Sequence, residues 1–337
     1  MANEVGRDGS RLRSAVVAPD APAWLHSIPA VETLRRVWLQ NYTWTEQGQL
    51  RWRANDETPP AGQYISSPYD HDARYSQKRG MTWIGDKVHL TERCDADLPH
   101  LMTNGETTTA TTSDDAVTER IHEARKQREL LPEVHLTDTG SIDAELLIES
   151  ERQYQLDLLG PVRGDYHRQA QAGKGFAAAD FVIDWEAQQA TCPAGQTSIS
   201  WTPAIDRGKN PVITITFSMT DCQACDQRAD CTDGKRRSPT LRPQEQHEAL
   251  QARRQRQATI AFTQNSAKRA GVEGTMSQRV RRCGIRRTRY VGLPKMRLQH
   301  LATASARNSI RLADWLDEQP RAKTRCSAFA RLMRQAA

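Results

Sequence analysis

The stretch Pro-Glu-Val-His-Leu-Thr-Asp-Thr-Gly, residues 132–140, gives the clearest indication of the fold. Its apolar residues predict a short strand that ends on Asp138, and Gly140 then turns the chain. An amphipathic helix is predicted over 143–154 and a second apolar strand over 156–162. Because a strand, a helix and a strand in this order form a βαβ unit, part of the sheet should be parallel.

Asp138 occupies the carboxyl end of the first of these strands. Open α/β sheets place their chemistry at that end, so a carboxylate there is a candidate functional group. An aspartate that caps a turn or a helix is an equally good interpretation of the same position. Position alone leaves both interpretations open.

Residues 67–164 as a whole predict the first part of an α/β domain. Alternating apolar and polar residues predict a strand over 83–91, and 100–109 is its expected antiparallel partner. A helix is predicted to begin at Ser113 and to run to about residue 129, because aspartates follow its start and basic residues precede its end.

Residues 1–66 do not read as the beginning of a domain. The spacing of apolar residues predicts a helix over 28–41, preceded by a short helix and a proline-rich connector. The polar residues 42–66 are predicted to be loop. We expect this segment to be a helical and loop remnant that packs on something upstream.

Residues 165–240 are predicted to form a small β-rich insert with clustered cysteines. The chain has 7 cysteines, an odd number, and no apolar signal segment, which argues against a disulfide framework. Four of the cysteines have metal-ligand spacing: Cys192, Cys222, Cys225 and Cys231. Four thiolates suit a closed, structural zinc site, which could fold a module with little core of its own. Unrelated buried thiols are the plain alternative, and a redox C-x-x-C pair is less favoured.

Residues 241–320 predict helices, and 321–337 a basic tail. One helix over 262–283 carries Glu273 and ends before Gly284, and another runs over 295–317. From residue 268 onwards there are 17 Lys and Arg against 4 Asp and Glu, whereas the whole chain has a net charge of only +6. Such a local surplus favours a polyanionic partner, and one acid inside it suggests a metal ion beside phosphate.

The remaining composition excludes some classes of protein. No apolar run is long enough for a membrane span, and the N-terminus has no signal peptide, so a cytoplasmic, nucleoid-associated location and no membrane partner are expected. The chain is polar, with a mean hydropathy of −0.73, but 8 Trp and 7 Tyr argue against full disorder.

Taken in order, several stretches resemble bacterial insertion-sequence transposases of the DDE type, in a subgroup with a cysteine-bearing insert. The resemblance covers about residues 18–317 and rests on four features: Pro68 to Cys94; Thr137-Asp138-Thr139-Gly140; the cysteine insert; and Arg269-x-x-x-Glu273-Gly274-Thr275 with 281–292. It implies a ribonuclease-H-like mixed sheet with flanking helices, interrupted by the zinc-binding insert. Residues 67–164 and 241–320 would then be two parts of one catalytic domain.

The resemblance also implies the chemistry. Asp138 matches the second of three acids that hold two Mg²⁺ ions for phosphodiester cleavage and strand transfer, and Glu273 matches the third. Arg269, four positions before Glu273, would meet the same phosphate. Contacts to the DNA backbone are expected from further basic residues: Lys268, Arg281, Arg282, Arg286, Arg287 and Arg289.

The departures from the family pattern are as informative as the matches. The first acid and its strand have no match, so the chain is expected to be a truncated and inactive copy that lacks the first strand. The nearest substitutes, Asp70, Asp72 and Asp95, are poorly placed. Where the family has tyrosines, this sequence has other residues: Asp86, Ser141 and Ser266. Without its partners, Glu273 is expected to be an ordinary buried acid.

Three interpretations of function follow. The first is a DDE transposase fragment that binds element ends and target DNA. The second is a non-catalytic DNA-binding protein, or a regulator that forms a homo-oligomer or co-assembles with an intact transposase. In the third, the basic helices are simply a solvated face and the zinc module is a scaffold.

Overall fold

The computed structural model describes residues 2–164 and 176–320 and divides the chain into two units. The first unit comprises Met1–Arg125 and Ala270–Ala337, and the second comprises Lys126–Arg269. The expected basic tail, 321–337, lies outside the described residues, as does the start of the insert, 165–175.

Both units mix helices with short strands. The described helices are α1 (Ala2–Val16), α2 (Pro29–Asn41), α3 (Asp115–Lys126), α4 (Ala144–Tyr154), α5 (Met219–Ala224), α6 (Arg228–Cys231), α7 (Gln244–Gln257), α8 (Ile260–Lys268), α9 (Ala270–Cys283) and α10 (Leu293–Leu316). The described strands are β1 (Tyr42–Trp44), β2 (Leu50–Trp52), β3 (Arg74–Lys78), β4 (Met81–Glu92), β5 (Met102–Thr109), β6 (Val134–Leu136), β7 (Asp157–Leu159), β8 (Val182–Asp184), β9 (Gln189–Thr191), β10 (Ser198–Ile205), β11 (Pro211–Phe217) and β12 (Thr240–Leu241). None of these helices is long and apolar enough to cross a lipid bilayer.

An antiparallel sheet, β3-β4-β5, organises the first unit. The predicted strand over 83–91 and its antiparallel partner over 100–109 are confirmed by β4 and β5, whose register pairs Val88 with Thr107 and Leu90 with Gly105.

Helix α10 covers one edge of this sheet with side chains. Asn308 bonds both backbone groups of Met102 in β5: its Oδ1 accepts from the Met102 N–H and its Nδ2 donates to the Met102 carbonyl, each at 2.8 Å. Arg311 donates to the carbonyl of His100, just before the same strand. These contacts occupy backbone groups that an open edge would offer to another chain.

The N-terminal segment corrects two expectations. Helix α1 extends over Ala2–Val16, well beyond the short helix expected there. Residues 42–66 are not all loop, because β1 and β2 form an antiparallel hairpin in which Tyr42 faces Trp52. The hairpin was missed because each strand has only three residues, and its stability comes from packing. Its aromatic residues meet Trp38, which donates to the Gly6 carbonyl at 2.8 Å.

The second unit contains the predicted βαβ unit. Strands β6 and β7 are parallel, and α4 connects them, as the sequence predicts. Asp143 begins the helix by accepting the Leu146 N–H at 2.8 Å. The core of this region is apolar and fully covered: Ile142, Leu146, Leu147, Tyr154, Leu156, Leu158 and Val162. Apolar burial of this kind is the dominant stabilising term in folding.

The rest of the second unit contains the β-rich insert. Strands β10, β11 and β12 form an antiparallel sheet, and β8 and β9 form a separate pair. The apolar cluster here is small, with Phe181, Ile215, Phe217 and Leu241 among its members. Three cysteines pack against that cluster: Cys192, Cys222 and Cys231.

The prediction of one continuous helix over 262–283 is wrong, because the chain forms two helices there. Helix α8 ends at Lys268 and α9 begins at Ala270, with Arg269 between them. The Arg269 N–H bonds the Ser266 carbonyl three residues back, which tightens the last turn of α8. Two glycines at the start of α9, Gly271 and Gly274, also weaken the helix locally. The end at Gly284, in a left-handed conformation with φ of 59°, agrees with the sequence.

Candidate catalytic acids, basic connection and cysteine cavity

Asp138 lies directly after β6 in the second unit and is exposed. Its Oδ1 accepts the backbone N–H of Gly140 and the hydroxyl of Ser141, each at 3.1 Å. The side chain therefore caps a short 3₁₀ turn, Thr139–Ser141. The capping interpretation is realised, and the carboxylate remains accessible at the end of a parallel strand.

Glu273 lies in the first turn of α9 and is exposed, which corrects the expectation of a buried acid. The opposite side of the helix is buried: Thr275 is 2% exposed and Arg279 is 0% exposed. Arg311 donates to the Thr275 hydroxyl, and Arg279 donates to the His300 carbonyl at 2.8 Å. These contacts fix α9 to α10 and leave Glu273 facing outwards.

The two candidate acids belong to different units, Asp138 to the second and Glu273 to the first. Among residues 2–164 and 176–320, no group of three or more His, Cys, Asp or Glu side chains is placed to hold a metal ion.

Asp70 and Asp72 serve the start of α10. Asp70 accepts the Gly292 N–H at 3.0 Å, and Asp72 accepts the Leu293 N–H at 2.9 Å. Carboxylates at a helix N-terminus satisfy free N–H groups and complement the helix dipole. Asp95 pairs with Arg93 at 2.5 Å on the surface. Each of these acids thus has a structural partner, and none of these contacts supports a role as a substitute first acid.

Asp86, which stands where the family pattern has a tyrosine, lies half-buried in β4. Burial raises the pKa of Asp86 to about 6, and the charges of Asp70 and Asp72 act in the same direction. Its Oδ1 is buried and has no hydrogen-bond partner. An unpartnered, half-buried acid at this position therefore carries an energetic cost.

The basic residues expected to meet DNA are mostly on the surface. Five arginines in the first unit are exposed, at the end of α9 and in the connection to α10: Arg281, Arg282, Arg286, Arg287 and Arg289. We call 281–289 the basic connection; within it, Ile285 is buried and anchors the segment. In the second unit, Lys268 is exposed and Arg269 is half-buried at the end of α8.

The cysteine cavity collects all four cysteines predicted to act together. Its volume is about 30 Å³, and its walls include Cys192, Cys222, Cys225 and Cys231. Cys192 follows β9, Cys222 lies in α5, Cys225 follows that helix, and Cys231 ends α6. Four thiols separated by up to 39 positions therefore reach one small space, as the spacing indicated.

Local backbone geometry presents the Cys192 sulfur to this space. Gly195 adopts a left-handed conformation with φ of 81° and donates to the Cys192 carbonyl at 2.8 Å. The tight turn brings the Gln196 N–H to within 3.3 Å of the Cys192 sulfur, to which it donates. This contact fixes the position of the Cys192 sulfur in the wall of the cavity.

Two arginines that the spacing argument did not identify also line the cavity, Arg228 and Arg237. Burial raises the pKa of the Cys231 thiol; Arg237 opposes the rise, and the charges of the other three cysteines reinforce it. The Lys-Arg-Arg run at 235–237, which begins four positions after Cys231, was the available signal for Arg237.

A comparison with protein families adds to this geometry. Residues 191–313 match the model of a family described as the transposase DDE domain. The match supports a DDE transposase. It covers the four cysteines of the cavity, Glu273 and the basic connection, whereas Asp138 lies before it. The mixed α/β architecture is compatible with a ribonuclease-H-like DDE domain. No curated protein and no solved structure matches the chain.

Proposed function

We propose that the chain is a DDE transposase that binds DNA at element ends and target, and that Asp138 and Glu273 are two of its three catalytic acids. The observation that carries the proposal is the DDE-domain match across Glu273 and the basic connection. An exposed acid on an anchored helix, followed by a surface run of arginines, suits a carboxylate that works next to phosphate.

The roles of the chain's own residues follow from their chemistry. Asp138 and Glu273 would supply carboxylate oxygens to Mg²⁺, which activates the attacking hydroxyl and stabilises the leaving oxygen when bound. Their exposed carboxylates fit such an ion, but they are only two ligands, and no third acid stands with either one among the described residues. Arg269 and the basic connection would hold the DNA backbone.

With matches to two acids, we expect the 337-residue chain to cleave DNA at background level. The test is nicking of duplex DNA that carries the element's terminal repeats, with Mg²⁺ or Mn²⁺, for the wild type, Asp138→Asn and Glu273→Gln. Metal-dependent turnover that disappears in either variant would overturn the inactivity and support the catalytic assignment. Turnover that both variants retain would overturn the assignment of these acids.

A second function has support from the basic connection alone. We propose that the chain binds DNA without cleaving it and regulates an intact transposase through co-assembly or homo-oligomerisation. If the chain makes n phosphate contacts, its affinity for DNA should fall as salt is added, and a plot of log affinity against log salt concentration should have a slope of about −0.9n. Replacing Arg286 and Arg287 with glutamine should reduce that slope by about 2. Binding that does not depend on salt would rule out both functions.

We also propose that the cysteine cavity holds a structural zinc ion. Four thiols around a space of about 30 Å³ are the donor set that tetrahedral zinc prefers, although their side chains must close around the ion to reach ligand distance. Such an ion would stabilise a module whose apolar cluster is small. The measurement is zinc per chain by elemental analysis of purified protein, with Cys225→Ser as the variant and exposed Cys283→Ser as the matched control. Zinc absent from the wild type after refolding with zinc would overturn the site.

The similarity to the transposase DDE domain leads us to propose action in the cytoplasm, on DNA of the nucleoid. Fractionation of cells with and without nuclease treatment tests this, since a DNA-bound protein should leave the nucleoid fraction when the DNA is digested.

A further inference from the structure

Two arginines of the cysteine cavity lack the counter-charge that such groups normally have. Arg228 and Arg237 both line the cavity, and within the described part of the chain neither makes an ion pair. Asp221 also lines it, but its carboxylate pairs with neither arginine. Cations in partly buried places are usually paired, because removing a charge from water costs free energy.

Arg237 is the more constrained of the two. It donates to the Cys231 carbonyl at 3.4 Å and to the Phe176 carbonyl at 3.5 Å. Its guanidinium carbon lies 5.8 Å from the centre of the Phe181 ring. Its Nε is buried without a hydrogen-bond partner. The side chain is thus held against the cavity wall by weak contacts to neutral groups, with one donor unused.

The charge of a metal–thiolate centre would supply what these arginines lack. A divalent cation with four thiolates carries a net charge of −2, whereas four neutral thiols carry none. Two guanidinium groups beside the cavity carry +2, so the pair balances the loaded centre and is uncompensated without it. Groups that surround metal ligands without binding the metal orient those ligands and tune the affinity of the site.

We propose that Arg237, with Arg228 in support, is the positioning and charge-balancing residue of a tetrathiolate centre in this cavity. The inference rests on the proposed zinc site and goes beyond it, since it assigns a role to residues that are not ligands. Arg237 holds the carbonyl of ligand Cys231 and places positive charge beside the sulfur atoms. Its loss should therefore weaken metal binding without removing a ligand.

The experiment measures zinc affinity by chelator competition in the full-length chain, for the wild type and three variants. Arg237→Met keeps the length and removes the charge, and Arg237→Lys keeps the charge. Arg242→Met is the matched control, because Arg242 lies in the same unit but not in the cavity wall. We expect Arg237→Met to bind zinc about 10- to 100-fold more weakly, with Arg237→Lys close to the wild type and Arg242→Met unchanged.

A second readout separates charge from folding. With Co²⁺ in place of zinc, the sulfur-to-metal absorption of Arg237→Met should keep the wild-type shape, and the pH of half-release should rise. Equal affinity of Arg237→Met and the wild type would overturn the inference while leaving the zinc site intact. Equal losses in Arg237→Met and Arg237→Lys would overturn the charge argument. A wild type that takes up neither metal would overturn the zinc site itself.

Discussion

The two units keep their cores together by different means. The βαβ region of the second unit buries an apolar cluster in which Leu156 and Leu158 are each 1% exposed. The first unit buries ionisable groups as well: Glu106, His122, Arg125, Arg279 and His300. Apolar burial does not depend on protonation, but the stability of a core with buried ionisable groups does. The stability of the first unit should therefore depend on pH and on the removal of buried charges. The stability of the second unit should depend on how well its apolar side chains pack.

The largest expected effect is the response of the first unit to acid. Burial lowers the pKa of His122 to about 4 and that of His300 to about 4, with the charges of Arg125 and Arg279 acting in the same direction. Unfolding releases each histidine to a pKa of about 6.5, so the unfolded state binds more protons below that value. The unfolding free energy of the first unit should therefore be undiminished above pH 6.5. It should fall as the pH approaches 4, by up to about 3 kcal/mol for each histidine.

Urea unfolding between pH 4 and 7.5, followed by hydrogen exchange of the β5 amides, measures this loss in the first unit. His300→Gln keeps a partner for the Thr107 hydroxyl, 2.8 Å from the ring, but does not titrate, so the slope with pH should fall by about half. His26→Gln, at an exposed position, should leave the slope unchanged. The same slope in His300→Gln and the wild type would remove the physical basis of the comparison.

A change of shape should produce the largest effect of a single substitution in the second unit. A Cβ at Gly160 would lie 2.6 Å from the Thr137 carbonyl oxygen and 2.6 Å from Ile142 Cδ1. Since one of these atoms belongs to the backbone beside Asp138, Gly160→Ala should cost about 3 kcal/mol of unfolding free energy. Gly164→Ala is the control, because nothing lies within 4 Å of its Cβ. Chemical denaturation that gives the two variants equal midpoints would contradict the close packing of this unit.

The contrast also explains which parts of the fold could be predicted from sequence. The βαβ unit was predictable because its strands and helix carry apolar residues at the spacing of each element, and the convergence of the four cysteines followed from their spacing. The contacts of Asp70 and Asp72 with Gly292 and Leu293 were not, since they join residues more than 200 positions apart. The aromatic hairpin was missed because each of its strands has only three residues. Arg237 was missed because its contact with the Phe176 carbonyl comes from tertiary packing.

An intermediate effect is expected when the buried charge of Arg279 is removed. Arg279 is 0% exposed, and among the described residues no carboxylate pairs with it; it donates only to the His300 carbonyl and to the Met102 sulfur. Arg279→Met fills similar volume without a charge, so the first unit should become more stable by about 1–3 kcal/mol. Arg281→Met, on the exposed side of the same helix, should change stability by less than about 0.5 kcal/mol.

Thermal unfolding of both variants and the wild type at pH 7 measures these changes in stability. A destabilised Arg279→Met would mean that the guanidinium contributes more through its hydrogen bonds than its burial costs, and the polar core would then be a source of stability. A stabilised variant would sharpen the comparison, because it would show that the first unit retains a group that weakens it.

The smallest expected effect concerns Asp86, and its sign is opposite to that of the histidines. Because burial raises the pKa of Asp86 to about 6, the folded state favours the protonated acid. Relative to an unfolded pKa of about 3.9, this group therefore costs nothing below pH 4 and progressively destabilises the first unit as the pH rises through 6. Since the side chain is only half-buried, the cost at pH 8 should be about 1 kcal/mol.

Asp86→Asn should thus stabilise the first unit at pH 8 by about 1 kcal/mol and have no effect near pH 4. Urea midpoints at the two pH values measure the difference, and Asp95→Asn, at an exposed position, is the control. Equal effects of Asp86→Asn at both pH values would mean that the side chain acts by packing rather than by charge. A gain at pH 8 that is absent near pH 4 would show that the charge of Asp86 destabilises the first unit. Because the two buried histidines together outweigh Asp86, the unfolding free energy of the first unit should still rise from pH 4 to 7, and Asp86 makes that rise shallower.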